Sequence, residues 1–162
     1  MAYFGVIFAH TDIMNTIKQY TTNLTNNFFK CGVAGWCLEV IFTSVESIMA
    51  QDWRLMGRTS LLMFPIYGMG AVLPAIGTGI DKWLGEAMER PVDRRLRHGM
   101  IYMVLIFTME YLAGAFMNSL GICPWDYSGR RLNINGLIRL DFAPLWFGMG
   151  LLFEEIAKKR SR

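Results

Sequence analysis

The residues of this chain best placed to do chemistry are carboxylates in apolar surroundings. In GWCLEVIFTSVE, residues 35–46, Glu39 stands among Trp, Leu, Val, Ile and Phe, and Glu46 follows seven residues later on roughly the same helical face. A third acid, Glu110, stands near the centre of GMIYMVLIFTMEYLAGAFMNS, residues 99–119. If these runs cross a bilayer, each acid must face protein or water, stay protonated, or pair. An Asp at the bilayer centre costs ~2.5–3.5 kcal/mol on insertion scales. No Lys or Arg stands at mid-depth in these runs. The partners left are the hydroxyls and indoles of Tyr67, Tyr111, Trp36, Trp146 and, nearer the inner end, Tyr102, the other acid through a shared proton, or a bound cation. Two readings stay open: a proton or cation site, and neutral acids knitting helices together by hydrogen bonds. Read as a site, Glu39, Glu110, Tyr67, Trp36, Tyr111 and Trp146 form a binding or translocation set.

The elements that must position them follow from composition. Of 162 residues, 53% are apolar and only 18% charged, against about a quarter charged in soluble domains. The charges cluster and leave apolar stretches between them, and a hydrocarbon core needs roughly 20 helical residues to cross. The expectation is an all-α polytopic membrane protein with spans at about 28–50, 60–80, 99–119 and 142–157. The last is short enough to need a thinned bilayer or a re-entrant path. Pro74 should kink the second span. Residues 28–162 form one membrane domain. Residues 1–27 precede it, with Ile13, Met14, Ile17, Tyr20 and Leu24 at helical spacing among polar residues, as an interfacial or packed amphipathic helix. They lack the basic start and small-residue cleavage pattern of a signal peptide.

With the N-terminus inside, the inner segments carry 11 of the 16 Lys and Arg residues and the outer loops 5. This bias places both termini in the cytoplasm and the protein in the cell's inner membrane. It also accounts for the net charge of +3 without a nucleic-acid partner. Cys31, Cys37 and Cys123 make no CxxC pair and read as reduced thiols. Only His10 and His98 are present, with no metal-ligand spacing, so neither a metal nor another cofactor is implied.

FPIYGMGAVL from Phe64 and APLWFGMGLLF from Ala143 share Pro, aliphatic, aromatic, then GMG, with one extra residue in the second. Glu39 stands 26 residues before Pro65 and Glu110 34 before Pro144. This predicts two pseudo-repeated hairpins related by an axis along the membrane normal. The extra length of the second falls in the outer loop, GICPWDYSGRRLNINGLIRLDFAPLW. There Trp125 and Tyr127 suit the interface, Asp126 and Ser128 close a turn with Gly129, and Asn133, Asn135 and Gly136 make a second turn. Trp125, Asp126, Tyr127, Ser128, Asn135 and Arg139 are the expected cap over a cavity between the hairpins. Arg139 is also expected to reach Glu46, and at least one of Glu154 and Glu155 to join Lys158 and Lys159 in a solvated cluster.

GWxxE, PIYGxG, EYLxG and WDYS…NINGLIRL…LW together resemble the bacterial ABC-transporter type IV (CmpB-type) membrane family. CPWDYS and the GLI-L segment are also similar to a vertebrate group of small four-pass membrane proteins. The resemblance spans about residues 28–155. By position it carries over Gly35, Trp36, Glu39, Pro65, Tyr67, Gly68, Glu110, Tyr111, Gly114, Trp125, Asp126, Tyr127, Ser128, Asn135 and Gly136. Arg131 and Leu132 precede Asn133 where the family pattern has Pro. The resemblance implies a small polytopic helical protein and a permease-like role. These residues hold no phosphate-binding loop, so ATP hydrolysis would need a separate ATPase, docked on DKWLGEAMERPVDRRLRHG through Trp83, Leu84 and Met88. Gly-rich spans leave a homodimer open as a further partner. Two other readings stand beside transport: an accessory subunit organising a membrane complex, and a membrane-embedded enzyme or lipid-binding protein using Asp126, Glu39, Glu110 and His98.

Overall fold

The computed structural model describes residues 2–49, 51–85 and 90–158, and the side chains of 13–45, 47–49, 51–85 and 90–158 among them. The chain is a bundle of helices: α1 (Ala2–Met49), α2 (Met63–Gly68), a 3₁₀ stretch (Met69–Val72), α3 (Leu73–Leu84), α4 (Pro91–Ser119) and α5 (Ala143–Lys158). Three segments, Ile13–Met49, Met63–Leu84 and Pro91–Ser119, are long and apolar enough to cross a membrane. With 16 residues, α5 would rise only about 24 Å against a core of about 30 Å. The one pair of strands among the described residues is a small antiparallel hairpin in the long loop, β1 (Asn133–Ile134) with β2 (Ile138–Arg139).

Two features depart from expectation. The N-terminal segment is not set off from the first span at residue 27. One helix of 48 residues runs through both, because neither Pro nor a turn sequence interrupts it there. Likewise α4 begins at Pro91, eight residues before the expected span. Proline is pre-organised for a helix's first position, where its missing N–H costs nothing.

α1 packs along α2, and α4 along α5, as two hairpins. Their leading helices close alike. Gln51 (φ 59°) donates to Ile48 O and Asp52 to Ser47 O, and Gly121 (φ 69°) donates to Asn118 O and Ile122 to Met117 O. Both are Schellman turns, with the left-handed residue just past the helix end. The returning limbs differ. Pro74 has no N–H to offer, and the 3₁₀ stretch just before it breaks the second span. α5 runs through its own GMG uninterrupted.

The end carrying the long loop is here the loop end, and the opposite one the arginine end. At the loop end residues 51–62 fold back along α1. The Arg58 amide donates to Thr43 Oγ1 at 2.8 Å and the Ser47 hydroxyl to Met56 O at 3.2 Å. Nearer the middle, the core gathers Cys31, Tyr67, Leu73, Tyr102, Trp146, Met149 and Phe153.

Candidate functional site

Glu39 comes from α1 and Glu110 from α4, and both line one cavity of about 600 Å³ at the loop end. Glu110 is buried at 6% exposure, whereas Glu39 is half-buried. Each acid meets an aromatic residue of its own hairpin, two positions after the repeated proline. The Trp146 indole donates to Glu110 Oε2 at 3.1 Å, and the Tyr67 hydroxyl reaches Glu39. Each also meets a hydroxyl from its own loop: Thr59 donates to Glu39 Oε2 at 2.6 Å, and Tyr127 reaches Glu110. The repeat thus extends from sequence to bonding. Buried carboxylates need such donors, since an unpaired one carries its full desolvation cost.

Close packing places Tyr67. A Cβ on Gly35 would lie 2.2 Å from Tyr67 Cγ, so only glycine lets the ring lie flat on α1, one helical turn from Glu39. The remaining walls are largely apolar, with Leu38, Phe42, Met63, Phe142 and Met149, and carry Thr43 and, from the returning chain, Ser60 and one cation, Arg58. Between α1 and α5 the lining includes Ile41, Val45 and Leu145, all exposed on the bundle's side.

The long loop roofs the cavity through Trp125 and Tyr127. The Trp125 indole donates to Leu137 O at 2.9 Å and the Tyr127 amide to Gly136 O at 2.8 Å, tying roof to hairpin. Asn135 and Gly136 hold φ of 52° and 70°, the left-handed pair a tight hairpin turn requires, and Asn-Gly is the pair that adopts it most readily. Asp126 Oδ1 accepts the Ser128 amide at 2.9 Å and its hydroxyl at 2.6 Å. Arg139 pairs with Asp141 at 2.6 Å and lies 4.1 Å over the Phe142 ring. Asp126, Ser128, Asn135 and Arg139 therefore hold the roof's shape without lining the cavity.

The Ser128 hydroxyl, joined by its amide, keeps the Asp126 carboxyl below the ordinary carboxylate range. Because the folded value is the lower one, this hold is complete above the usual pKa of about 3.9 and is lost as pH falls through the depressed value. Hydrogen exchange should show Ser128 amide protection persisting to more acidic pH than an ordinary carboxylate would allow. Protection lost well above that range would mean that the turn does not rest on this carboxylate.

Two expected members fall outside the cavity. The Trp36 indole donates to Ser60 O at 3.0 Å, and its ring packs on Phe64 at 4.8 Å, so it fastens α1 to the returning chain. Tyr111 follows Glu110 on a helix and so points about 100° away. Its hydroxyl accepts a 2.8 Å bond from Asn135 and anchors the hairpin turn. The Glu46 side chain lies outside the described residues, as does Met88 of the expected docking face, in which Trp83 and Leu84 are exposed.

Sequence reasoning missed a second polar cluster, at the arginine end. Asp81 of α3 has no exposed surface and meets Arg94 at 2.6 Å, Arg97 at 2.6 Å and His98 Nε2 at 2.9 Å. On its other side His98 Nδ1 meets Glu154 Oε1 at 2.9 Å, and Lys158 meets the same oxygen at 2.6 Å. The ring thus stands between two carboxylates, one at each nitrogen, with the Tyr102 hydroxyl 3.3 Å from Nδ1. Glu154 is buried here, and only Glu155 matches the expected solvated acid. The signal available was Arg94, Arg97 and His98 at i, i+3 and i+4, one helix face supplying three donors.

Against the family models, residues 26–161 match the family described as "Putative ABC-transporter type IV". The chain belongs to that family. The match covers both hairpins and the roofing loop, hence every residue of the cavity and of the buried cluster. No solved structure matches the chain. Family membership and apolar helices together mark a multi-pass, transport-related membrane protein.

Proposed function

We propose that this protein is a permease-like unit whose loop-end cavity takes a small cation, or the ammonium or other hydrogen-bond-donating group of a solute. Glu39 and Glu110 are its acceptors, and Tyr67, Tyr127 and Trp146 orient them. The observation that supports this is the meeting of the two acids, one from each hairpin, on a single largely apolar cavity. Indoles and hydroxyls satisfy part of each carboxylate and leave acceptor capacity for a guest. In such surroundings a charge-assisted bond is worth more than in water. In this reading the arginine end is cytoplasmic, α5 completes a fourth crossing in locally thinned bilayer, and energy comes from a separate ATPase. Trp83, 84% exposed, is the natural contact for that subunit.

Proteoliposomes subjected to jumps of sodium, potassium and methylammonium test the reading by electrometry. At least one cation should evoke a transient binding current, which needs no ATPase, and Glu110→Gln and Glu39→Gln should each weaken the apparent affinity about tenfold or more, as loss of one charge-assisted contact implies. Currents equal to those of empty liposomes, or an affinity unchanged in both variants, would overturn it.

An accessory role has one observation in its favour, the same exposed Trp83 and Leu84. It predicts that Trp83→Ala abolishes assembly with a partner subunit while both glutamine variants leave assembly and activity intact.

A further inference from the structure

Behind the cavity just described lies a second chamber, of about 240 Å³, between the broken second span and α4. The two chambers share four lining residues: Met63, Tyr67, Glu110 and Trp146. These four form a partition, with Glu110 reaching both sides. The second chamber is otherwise apolar, Glu110 being the one carboxylate in its wall beside the Tyr67 hydroxyl and the Trp146 indole. Its far wall comes from the 3₁₀ stretch and α3, and it includes Met69 and Val72, which are 43% and 38% exposed. The chamber therefore opens sideways, where the bundle would meet lipid chains.

The break in the second span creates this space. A 3₁₀ turn is narrower than an α-turn, and at Gly70 it draws against Phe153 of α5, so close that a Cβ there would lie 2.6 Å from that ring. The backbone is thus held toward α5 and away from α4.

Resting on the function proposed above, we infer that the ligand is an amphiphile drawn from the bilayer. Its cationic headgroup sits between Glu39 and Glu110, and its hydrocarbon chain occupies the second chamber. At the loop end two carboxylates stand against one guanidinium, Arg58, and this balance selects a cationic head. Beyond the partition the lining side chains, among them Ile66, Leu73, Ile76, Leu105 and Phe153, carry no polar group, and that end suits hydrocarbon. Met63 is the movable part of the partition, because an unbranched thioether side chain repacks readily.

The test compares two probes that keep N–H donors, methylammonium and dodecylammonium, bound to the protein in phosphatidylcholine nanodiscs. Leu105→Trp fills the chamber from α4, and Ile76→Phe fills it from α3, so that misfolding of one variant does not decide the result. Partition of the long probe into lipid is common to all samples, so the ratio of long-probe to short-probe affinity isolates the chamber. That ratio should fall about tenfold in each variant relative to wild type. If the short probe binds in a Glu110-dependent way but the ratio stays at its wild-type value in both variants, the chain lies in lipid and the inference fails while the cation reading stands. If neither probe binds in a way that Glu39→Gln or Glu110→Gln weakens, both fall.

Discussion

Asp81→Asn should be among the most damaging single substitutions in this protein. The carboxylate has no exposed surface and is the shared partner of Arg94, Arg97 and His98. Asparagine keeps the volume but removes the charge, leaving guanidinium and imidazole groups crowded without compensation. Breaking a buried pair from one side costs about 3–5 kcal/mol. Here the lower end applies. Arg94 and Arg97 form much of the seal over Asp81 and are themselves 45% and 20% exposed, so they can turn to water once released. About 3 kcal/mol is expected, read as a drop of several degrees in the melting temperature of the detergent-solubilised protein. Adding Arg97→Gln should restore part of the loss, because it removes a charge that the first change stranded. A single variant melting with wild type would show that the cluster is effectively solvated.

Gly35→Val should be comparably severe by a different mechanism. Its first added carbon would overlap the Tyr67 ring, with Cγ at 2.2 Å and Cβ at 2.4 Å. The offending atoms lie at the root of the side chain, so no rotamer change of Tyr67 relieves them. α1 and α2 must part. Overpacking of this kind costs typically 1–3 kcal/mol and occasionally more, and here the displacement also withdraws the Tyr67 hydroxyl from Glu39. The expected result is a protein that still inserts, melts earlier, and binds cations at the loop-end cavity no better than Glu39→Gln. Tyr67→Ala in the same background should recover stability without recovering binding. A Gly35→Val protein with wild-type stability would mean that the helices stand farther apart than described.

How much of this was legible in the residues depends on the range of the interaction. The membrane class and three long helices follow from runs of apolar residues, which are local. The pairing of Pro65 with Pro144 was legible because a repeat is a comparison of the sequence with itself. It led to Tyr67 and Trp146, and these do meet Glu39 and Glu110. The turns at Asp126 and at Asn135–Gly136 were legible for the same local reason. Trp36 and Tyr111 were assigned to the cavity because they lie near the acids along the chain. Tyr111 is turned about 100° from Glu110 by the helix, while Trp36, three residues before Glu39, is claimed by the returning chain at Ser60 and Phe64, which only the tertiary packing reveals. The cluster of Asp81, His98 and Glu154 was the least legible. It joins three helices, and its arginines looked like the ordinary basic flank of a membrane span. Only the packing of α5 beside α4 brings the acid at position 154 to the ring at position 98.

The unbroken length of α1 has a mechanical consequence. At 1.5 Å per residue, 48 residues make a rod of about 72 Å, more than twice the thickness of a bilayer's hydrocarbon core. Glu39 rides on one end of that rod, in the wall of the cavity, while the other end stands or lies some tens of ångströms away. Helices bend gently but do not fold without a Pro, a bulge or an inserted group, so the rod turns as a lever. A tilt of about 5° at the cavity wall would carry a point 40 Å along it by roughly 3.5 Å. On the function proposed, a guest at Glu39 that tilted the rod would be registered far from the site, as a displacement of α1's distant end.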